Sequence, residues 1–375
     1  MPSPPRQGMK GIWYKLVLNV IWILGLIIVT IKSSKIFEQW PIDIYEGGSS
    51  DIIPQIGWMV KRLLDGEFPY RLITAWPHHL FPTYQTFQWV PFTIAEVFNF
   101  DYRWIPFVFF SLSLILFQKQ NISSSSGFIF KIIFSALPWI LLEVFINHNL
   151  WQYAHTVETL IVAYYLLFLI TIFHSSIFLK ALATVLCLLS RYSIVLWLPL
   201  FFLSILYENK FKARNYAVFV ICGIALFYVL PFMLIDPMVF NKGYAYHTQA
   251  AYHLWSKTGI NFPHIVYEGV GVAGFFYDFI EGDTDLRLTI LKRVHLILLA
   301  GFMILSTLIF IFCNKRIVRK RLFLLGTLKI YLAIFYSFLQ LPFHYLFIVP
   351  LFVSLFFVFK LIDSKTEEDA FANVV

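Results

Sequence analysis

A chain of 375 residues that is 59% hydrophobic and 13% charged is not an ordinary soluble protein, because soluble domains carry roughly 25% charged residues. Its formal net charge of +8 invites a nucleic-acid partner, but the cations gather in short stretches between apolar runs, at Lys210/Lys212/Arg214 and at Lys315/Arg316/Arg319/Lys320/Arg321. That is the positive-inside pattern of a membrane protein, so membrane lipids are partners and nucleic acid is not.

Apolar runs fall near 12–31, 102–117, 127–146, 155–173, 176–207 (counted as two short spans), 216–235, 289–313, 322–340 and 344–360. Crossing the hydrocarbon core takes about 20 residues of helix, and lipid offers no partner for a free backbone N–H or C=O. A transmembrane β-barrel would alternate apolar and polar residues, and these runs do not. The predicted fold is therefore all-α: a polytopic transmembrane helical bundle of about 10–12 spans, in one domain covering 1–375.

Arg6, Lys10 and Lys15 place the N-terminus in the cytoplasm. The first run is too long for a cleavable signal peptide, and no small-residue cleavage site follows. Next comes an external region, 32–100. Within it, apolar residues at 52, 53, 56, 59, 60, 63 and 64 share one helical face, which predicts an amphipathic helix lying on the membrane interface. Gly66 is its stop signal. Asp51 stands at the helix start, where two compatible readings meet: a cap for the first free N–H groups and a catalytic carboxylate held at the membrane surface. His78 and His79, beside Trp76, Pro77 and Pro82, read as interfacial side chains.

The stretch 84–98 carries Gln85, Gln88, Pro91 and Glu96. Span parity fails around 84–126, and this polar stretch is the one expected to be re-entrant. Glu143, Glu158 and Arg191 are charges within or beside apolar runs, which are functional candidates by default. Arg191 has two readings, a structural partner for one of those carboxylates or a fork of N–H groups for a phosphate. A second external segment, 236–288, offers Lys242 and His247 as phosphate-binding candidates among many aromatics. The tail from 361 to 375 is cytoplasmic by this count, and Asn121-Ile-Ser123, a sequon by pattern, falls on no clear external loop. Cys187, Cys222 and Cys313 lie in apolar runs without metal spacing and read as core residues.

The run Asp51-Ile-Ile-Pro-Gln-Ile-Gly-Trp-Met-Val-Lys-Arg-Leu-Leu-Asp-Gly66-Glu-Phe-Pro69-Tyr70 resembles the first external loop of the GT-C superfamily, multi-span glycosyltransferases that use polyprenyl-phosphate-linked sugars. That loop has an acid soon after the first span, a helix, and a Leu-Leu-x-Gly-x-x-Pro-Tyr ending. Pro231-Phe232-Met-Leu-Ile-Asp236-Pro237 is similar to an element after a late span of bacterial members, and Ser190-Arg191-Tyr192 and His344-Tyr345 are fainter likenesses. The resemblance implies transfer of a hexosyl unit, such as mannosyl, from a polyprenyl-phosphate donor to a lipid, glycan or protein acceptor. It implies inversion, with the site on the periplasmic face of a bacterial inner membrane.

The same resemblance implies Asp51 as general base; Asp43 is its substitute, and Tyr70, Tyr84, Arg191, Lys242 and His247 are the candidates for holding the substrate. No cofactor is called for. Asp43 and Glu46 are the residues that would join Asp51 at a divalent metal, but their spacing is no ligand signature. Two other classes fit a multi-span chain, a lipid or glycan transporter or flippase and a surface-polysaccharide polymerase. The transporter class usually shows inverted repeats, and the sequence has none.

Overall fold

The computed structural model of the protein describes residues 9–43, 50–76, 79–122, 127–257, 264–268, 270–313, 317 and 319–372. It is helical throughout, as composition requires. Among the described residues the only β pairing is an isolated bridge between Ile73 and Leu80.

Helix α1 (Met9–Gln39) continues beyond the apolar run that ends near 31, carrying helix into the 32–100 region. Its polar end has partners: Lys32 Nζ donates to Glu143 at 2.5 Å, and the Ser33 and Tyr153 hydroxyls meet at 2.7 Å. Helix α2 (Ile52–Leu64) forms as the spacing predicts. Its apolar face, however, is covered by protein rather than by lipid headgroups. Ile53, Ile56, Met59 and Val60 are buried, and α2 packs on α3 (Thr86–Trp89) and α4 (Thr93–Phe98).

Gly66 ends α2 with φ +75°, while Glu67 N–H donates to Arg62 O at 2.7 Å. This is the Schellman closure that favours glycine. Arg62 then holds the returning chain, donating to the carbonyls of Pro69 (3.2 Å), Arg71 (2.6 Å) and Leu72 (3.1 Å). No atom lies within 4 Å of where a Gly66 Cβ would stand, so Gly66→Ala meets only backbone strain. A loss of about 1–2 kcal/mol is expected, read as a lowered midpoint in thermal unfolding.

The stretch 84–98 is not a straight span. It breaks into α3, a 3-10 turn at Val90–Phe92 containing Pro91, and α4, which ends at Asn99 with φ 51°. The chain continues through α5 (Trp104–Ile122), α6 (Phe128–His148), α7 (Leu150–His155), α8 (Glu158–Phe173) and α9 (Ile177–Leu188). Run 176–207 does divide in two: α9 stops, Arg191 is extended, and a 3-10 turn (Tyr192–Trp197) leads into α10 (Leu198–Glu208). Helix α11 (Lys210–Ile224) runs on as a π-helix over Ala225–Met233. Segment 236–288 is itself helical, with α12 (Val239–Trp255) and α13 (Ala273–Phe279). Three long helices finish the chain: α14 (Thr284–Cys313), α15 (Lys320–Ser337) and α16 (Ile348–Ala372), the last carrying helix into the expected tail.

Among the described residues, five helical stretches are long and apolar enough to cross a membrane: Trp13–Gln39, Phe128–His148, Lys210–Met233, Thr284–Cys313 and His344–Asp363. Four shorter apolar stretches, Trp104–Lys119, Glu158–Phe173, Ile177–Leu188 and Tyr192–Glu208, were part of the larger span count. Helix α8 shows why short helices suffice inside the bundle. Its 16 residues rise only about 24 Å, but nearly all of its side chains are buried by α5, α9 and α16. A helix apolar on every side belongs in such a core.

The helices α1, α5, α6, α8, α9, α10, α11, α14, α15 and α16 run between two ends of the bundle. At one end Gln118 donates to Leu18 O (3.4 Å), Phe117 stacks on Phe359, and Arg321 donates to Phe173 O (3.2 Å). At the other end Lys32 meets Glu143, Arg191 meets Glu158, and Phe232 packs on Tyr70. Tracing the chain puts both described ends of the protein and the 208–215 segment at the first end. It puts the described residues of 40–102 and of 236–283, and 338–347, at the second. Because 84–98 turns back, the parity conflict disappears and 118–122 joins the first, basic end.

Candidate functional site

The second end of the bundle gathers charge from distant parts of the sequence. Two ion pairs, each with one buried member, anchor it. Arg103, before α5, donates to Asp101 and to the carbonyls of Phe37 (2.7 Å) and Trp40 (2.7 Å), which ties down the start of the first external segment. This guanidinium is saturated and structural. The second pair is Arg191 with Glu158. Arg191 Nη2 donates to one Glu158 oxygen at 2.6 Å and Nη1 to the other at 2.8 Å; Nη1 also reaches the Tyr336 hydroxyl at 3.3 Å. The side chains are 17% and 4% exposed. Glu158 opens α8, where a carboxylate also meets the positive end of the helix. Of the two readings for Arg191, the structure places it in the ion pair, with its fork on a carboxylate.

Asp51 approaches this pair from the first external segment. Its side chain makes no cap hydrogen bond to α2, so the capping reading fails; the Ser50 hydroxyl accepts from Ile52 N–H at 3.3 Å instead. The Asp51 carboxylate acts on Tyr84, Tyr246 and Tyr345. Tyr84 and Tyr345 in turn lie in the field of Glu158 and Arg191. Burial, then Asp51, pushes the Tyr84 phenol well above its ordinary pKa, so it stays a hydroxyl that can donate. Asp51, Tyr84, Tyr345, Glu158 and Arg191 thus lie within reach of one another's charge at this end of the bundle.

Further polar residues come from α12 and α14. His247 is solvent-reached but ringed by protein, and its pKa is lowered by burial and then by Lys292 and Arg191. It is therefore neutral at pH 7 and offers a hydrogen bond, not a charge. Helix α12 is seated by Tyr246, whose hydroxyl donates to His79 O at 3.0 Å, and by Gly243 against Pro82 and Thr83. A polar rim continues through Gln152 and the His344 ring (2.7 Å) to Glu268.

The other expected site residues sit differently. Tyr70 is 5% exposed and belongs to the core. Its hydroxyl donates to Tyr84 O at 2.9 Å and accepts from Trp89 Nε1 at 3.1 Å, and its ring packs edge-on against Phe232 at 5.2 Å. It positions Tyr84 and has almost no surface for a substrate. Tyr70→Phe should cost about 1–3 kcal/mol, because the buried Trp89 N–H loses its partner, a change thermal unfolding in detergent would read. Lys242 is exposed on α12 and paired with Asp236 at 2.6 Å, a bond that holds the Asp236 carboxyl below its ordinary range. Asp43 is exposed and precedes 44–49. Glu46 and His78, and with them the proposed metal partner of Asp43, lie outside the described residues.

Lys292, through His247, and Tyr336, through Arg191, join this cluster, and the sequence reading gave neither a role; Tyr345 entered it only as part of a faint likeness. The signal for Lys292 was available: a cation near the start of an apolar run is a functional candidate. The chain matches no known protein-family model, no curated protein and no solved structure.

Proposed function

We propose that this integral membrane protein is a glycosyltransferase that moves a hexosyl unit from a polyprenyl-phosphate donor to a lipid, glycan or protein acceptor at this cluster. The observation that carries the reading is that the first-segment carboxylate, Asp51, and the Arg191–Glu158 pair both act on Tyr84 and Tyr345, while Arg191 and Lys292 both act on His247. Glycosyl transfer from a phosphate donor needs those two chemistries side by side.

In the step proposed, the acceptor oxygen forms a bond to the anomeric carbon and its proton passes to the Asp51 carboxylate. The bond from that carbon to the phosphate oxygen breaks, and polyprenyl phosphate leaves with the electron pair. Charge on the departing phosphate is held by positioned donors, the larger part of such catalysis. Arg191 is already offset by Glu158, so Lys292 supplies the uncompensated charge and His247 a neutral donor. Attack opposite the leaving group inverts the anomeric centre. By the positive-inside rule the cluster faces away from the cytoplasm, because Lys210, Lys212, Arg214 and Arg321 are at the other end.

The test is transfer of labelled sugar from polyprenyl-phosphate hexoses in membranes containing or lacking the protein, with the product's anomeric configuration determined. Transfer with inversion supports the reading. Retention of configuration would overturn the single-displacement step, and movement of an intact glycolipid across the bilayer without transfer would favour a transporter.

A further inference from the structure

Helix α4 leaves an apolar side uncovered. Ile94, Val97, Phe98 and Phe100 are exposed, Val97 at 63% and Phe98 at 73%, while Phe92 and Ala95 are buried. The two acids beside this side are engaged by protein: Glu96 accepts from the Tyr102 hydroxyl at 2.6 Å, and Asp101 accepts from Arg103. A cluster of large exposed apolar side chains marks a contact surface.

The level of α4 in the bundle identifies the contact. Helix α5 has 19 residues and rises about 28 Å, close to the thickness of the hydrocarbon core. Its first residue, Trp104, therefore stands near the lipid boundary at the second end. The Tyr102 bond to Glu96 and the contact of the Phe92 and Tyr102 rings at 5.7 Å fasten α4 at that level. Along α5 the exposed residues Val108, Leu112 and Leu116 recur every fourth position, which makes one lipid-facing stripe. The exposed run 94–100 comes just before that stripe in the chain, at its boundary end.

The other side of the turn-back is held by the bundle. Phe87 N–H donates to Leu189 O at 2.7 Å, Tyr164 donates to Phe87 O at 3.0 Å, and Trp89 and Phe92 are fully buried. The break between α3 and α4 thus lies against protein, the condition for irregular backbone at membrane depth.

We propose that α4 inserts Ile94, Val97, Phe98 and Phe100 among the lipid acyl chains at the membrane boundary. It takes the interfacial role that the sequence pattern predicts for α2. Helix α2 rests on α3 and α4 and closes with Lys61, Arg62, Leu64 and Asp65, so charge dominates its uncovered end. Contact of α4 with lipid requires only that the chain spans a membrane, and stands whether or not it transfers sugar.

The test is photolabelling of the full chain in liposomes of phosphatidylcholine that carries a trifluoromethylphenyl diazirine on one acyl chain, with adducts mapped by peptide mass spectrometry. Residues 94–100 should be labelled as heavily as Val108, Leu112 and Leu116, and residues 61–65 should carry no adducts. Val97→Asn combined with Phe98→Asn, both at exposed positions, should keep the fold and lose most adducts on 94–100 while those on the α5 stripe stay. The proposal is overturned if the α5 stripe is labelled and 94–100 is not, or if 61–65 is labelled as heavily as 94–100. Unchanged adducts on 94–100 in the double variant would overturn it too. Cross-links between two chains at 94–100 in place of lipid adducts would assign the surface to a second copy instead.

Discussion

Asp51→Asn is expected to abolish sugar transfer while leaving the fold intact. A positioned general base contributes about 10²- to 10⁴-fold in rate, and the amide keeps the shape of the side chain but cannot take the acceptor's proton at neutral pH. Because the Asp51 side chain makes no cap bond to α2, helix capping predicts no loss of stability. The unfolding midpoint should stay near that of the unmodified protein. Asp43→Asn is the control: Asp43 is exposed, and its replacement should preserve the rate. Full activity in Asp51→Asn, or loss only in Asp43→Asn, would remove Asp51 from the mechanism.

The second large effect is on stability. Removing one member of a buried ion pair leaves the other charge uncompensated, at a cost of about 3–5 kcal/mol. Glu158→Gln should approach that range, because Arg191 keeps little solvent to turn to. Arg191→Met should fall similarly, since Glu158 is the more buried partner. Replacing both by apolar residues of similar volume should recover much of the loss, as buried pairs often break even against good packing. Thermal unfolding of the two single variants and the double variant reads this directly. Single variants that unfold at the unmodified temperature would mean that Arg191 is free to serve a ligand, as its phosphate-binding reading requires.

The residues that carried the family resemblance prove to have two different jobs. Gly66 closes α2, and Tyr70 ties the first external segment to Tyr84, Trp89 and Phe232. Phe232 comes from the second likeness, Pro231-Phe232 before Asp236-Pro237, so the two elements pack on each other. Spacing along the chain made these positions visible, but not that they are mechanical. Their partners lie on α3 and the π-helical end of α11, far away in sequence.

Helix existence was readable because apolar runs and their polar breaks are local signals. The division of 176–207 at Arg191 is the clearest case. What covers a helix face is not local, and α2 shows the limit: its apolar stripe is as well satisfied by α3 and α4 as by lipid. The cluster was half legible. Asp51, Tyr84, Arg191 and His247 were singled out in the sequence, and Arg191 acts on both Tyr84 and His247. Tyr336 was passed over because it looks like one polar residue within an apolar run, and Lys292 because it stands beside Arg293 at the start of one; only the bundle shows what each faces.

The central claim is that this cluster breaks the bond between a sugar and a polyprenyl phosphate. The most direct measurement is release of polyprenyl phosphate from a labelled donor by the purified protein in proteoliposomes, with acceptor supplied as a membrane glycolipid extract. The account predicts acceptor-dependent release that disappears in Asp51→Asn and weakens strongly in Lys292→Gln. Release that is equal in all three proteins, or no release from any hexosyl donor while the intact glycolipid is moved between leaflets, would contradict it.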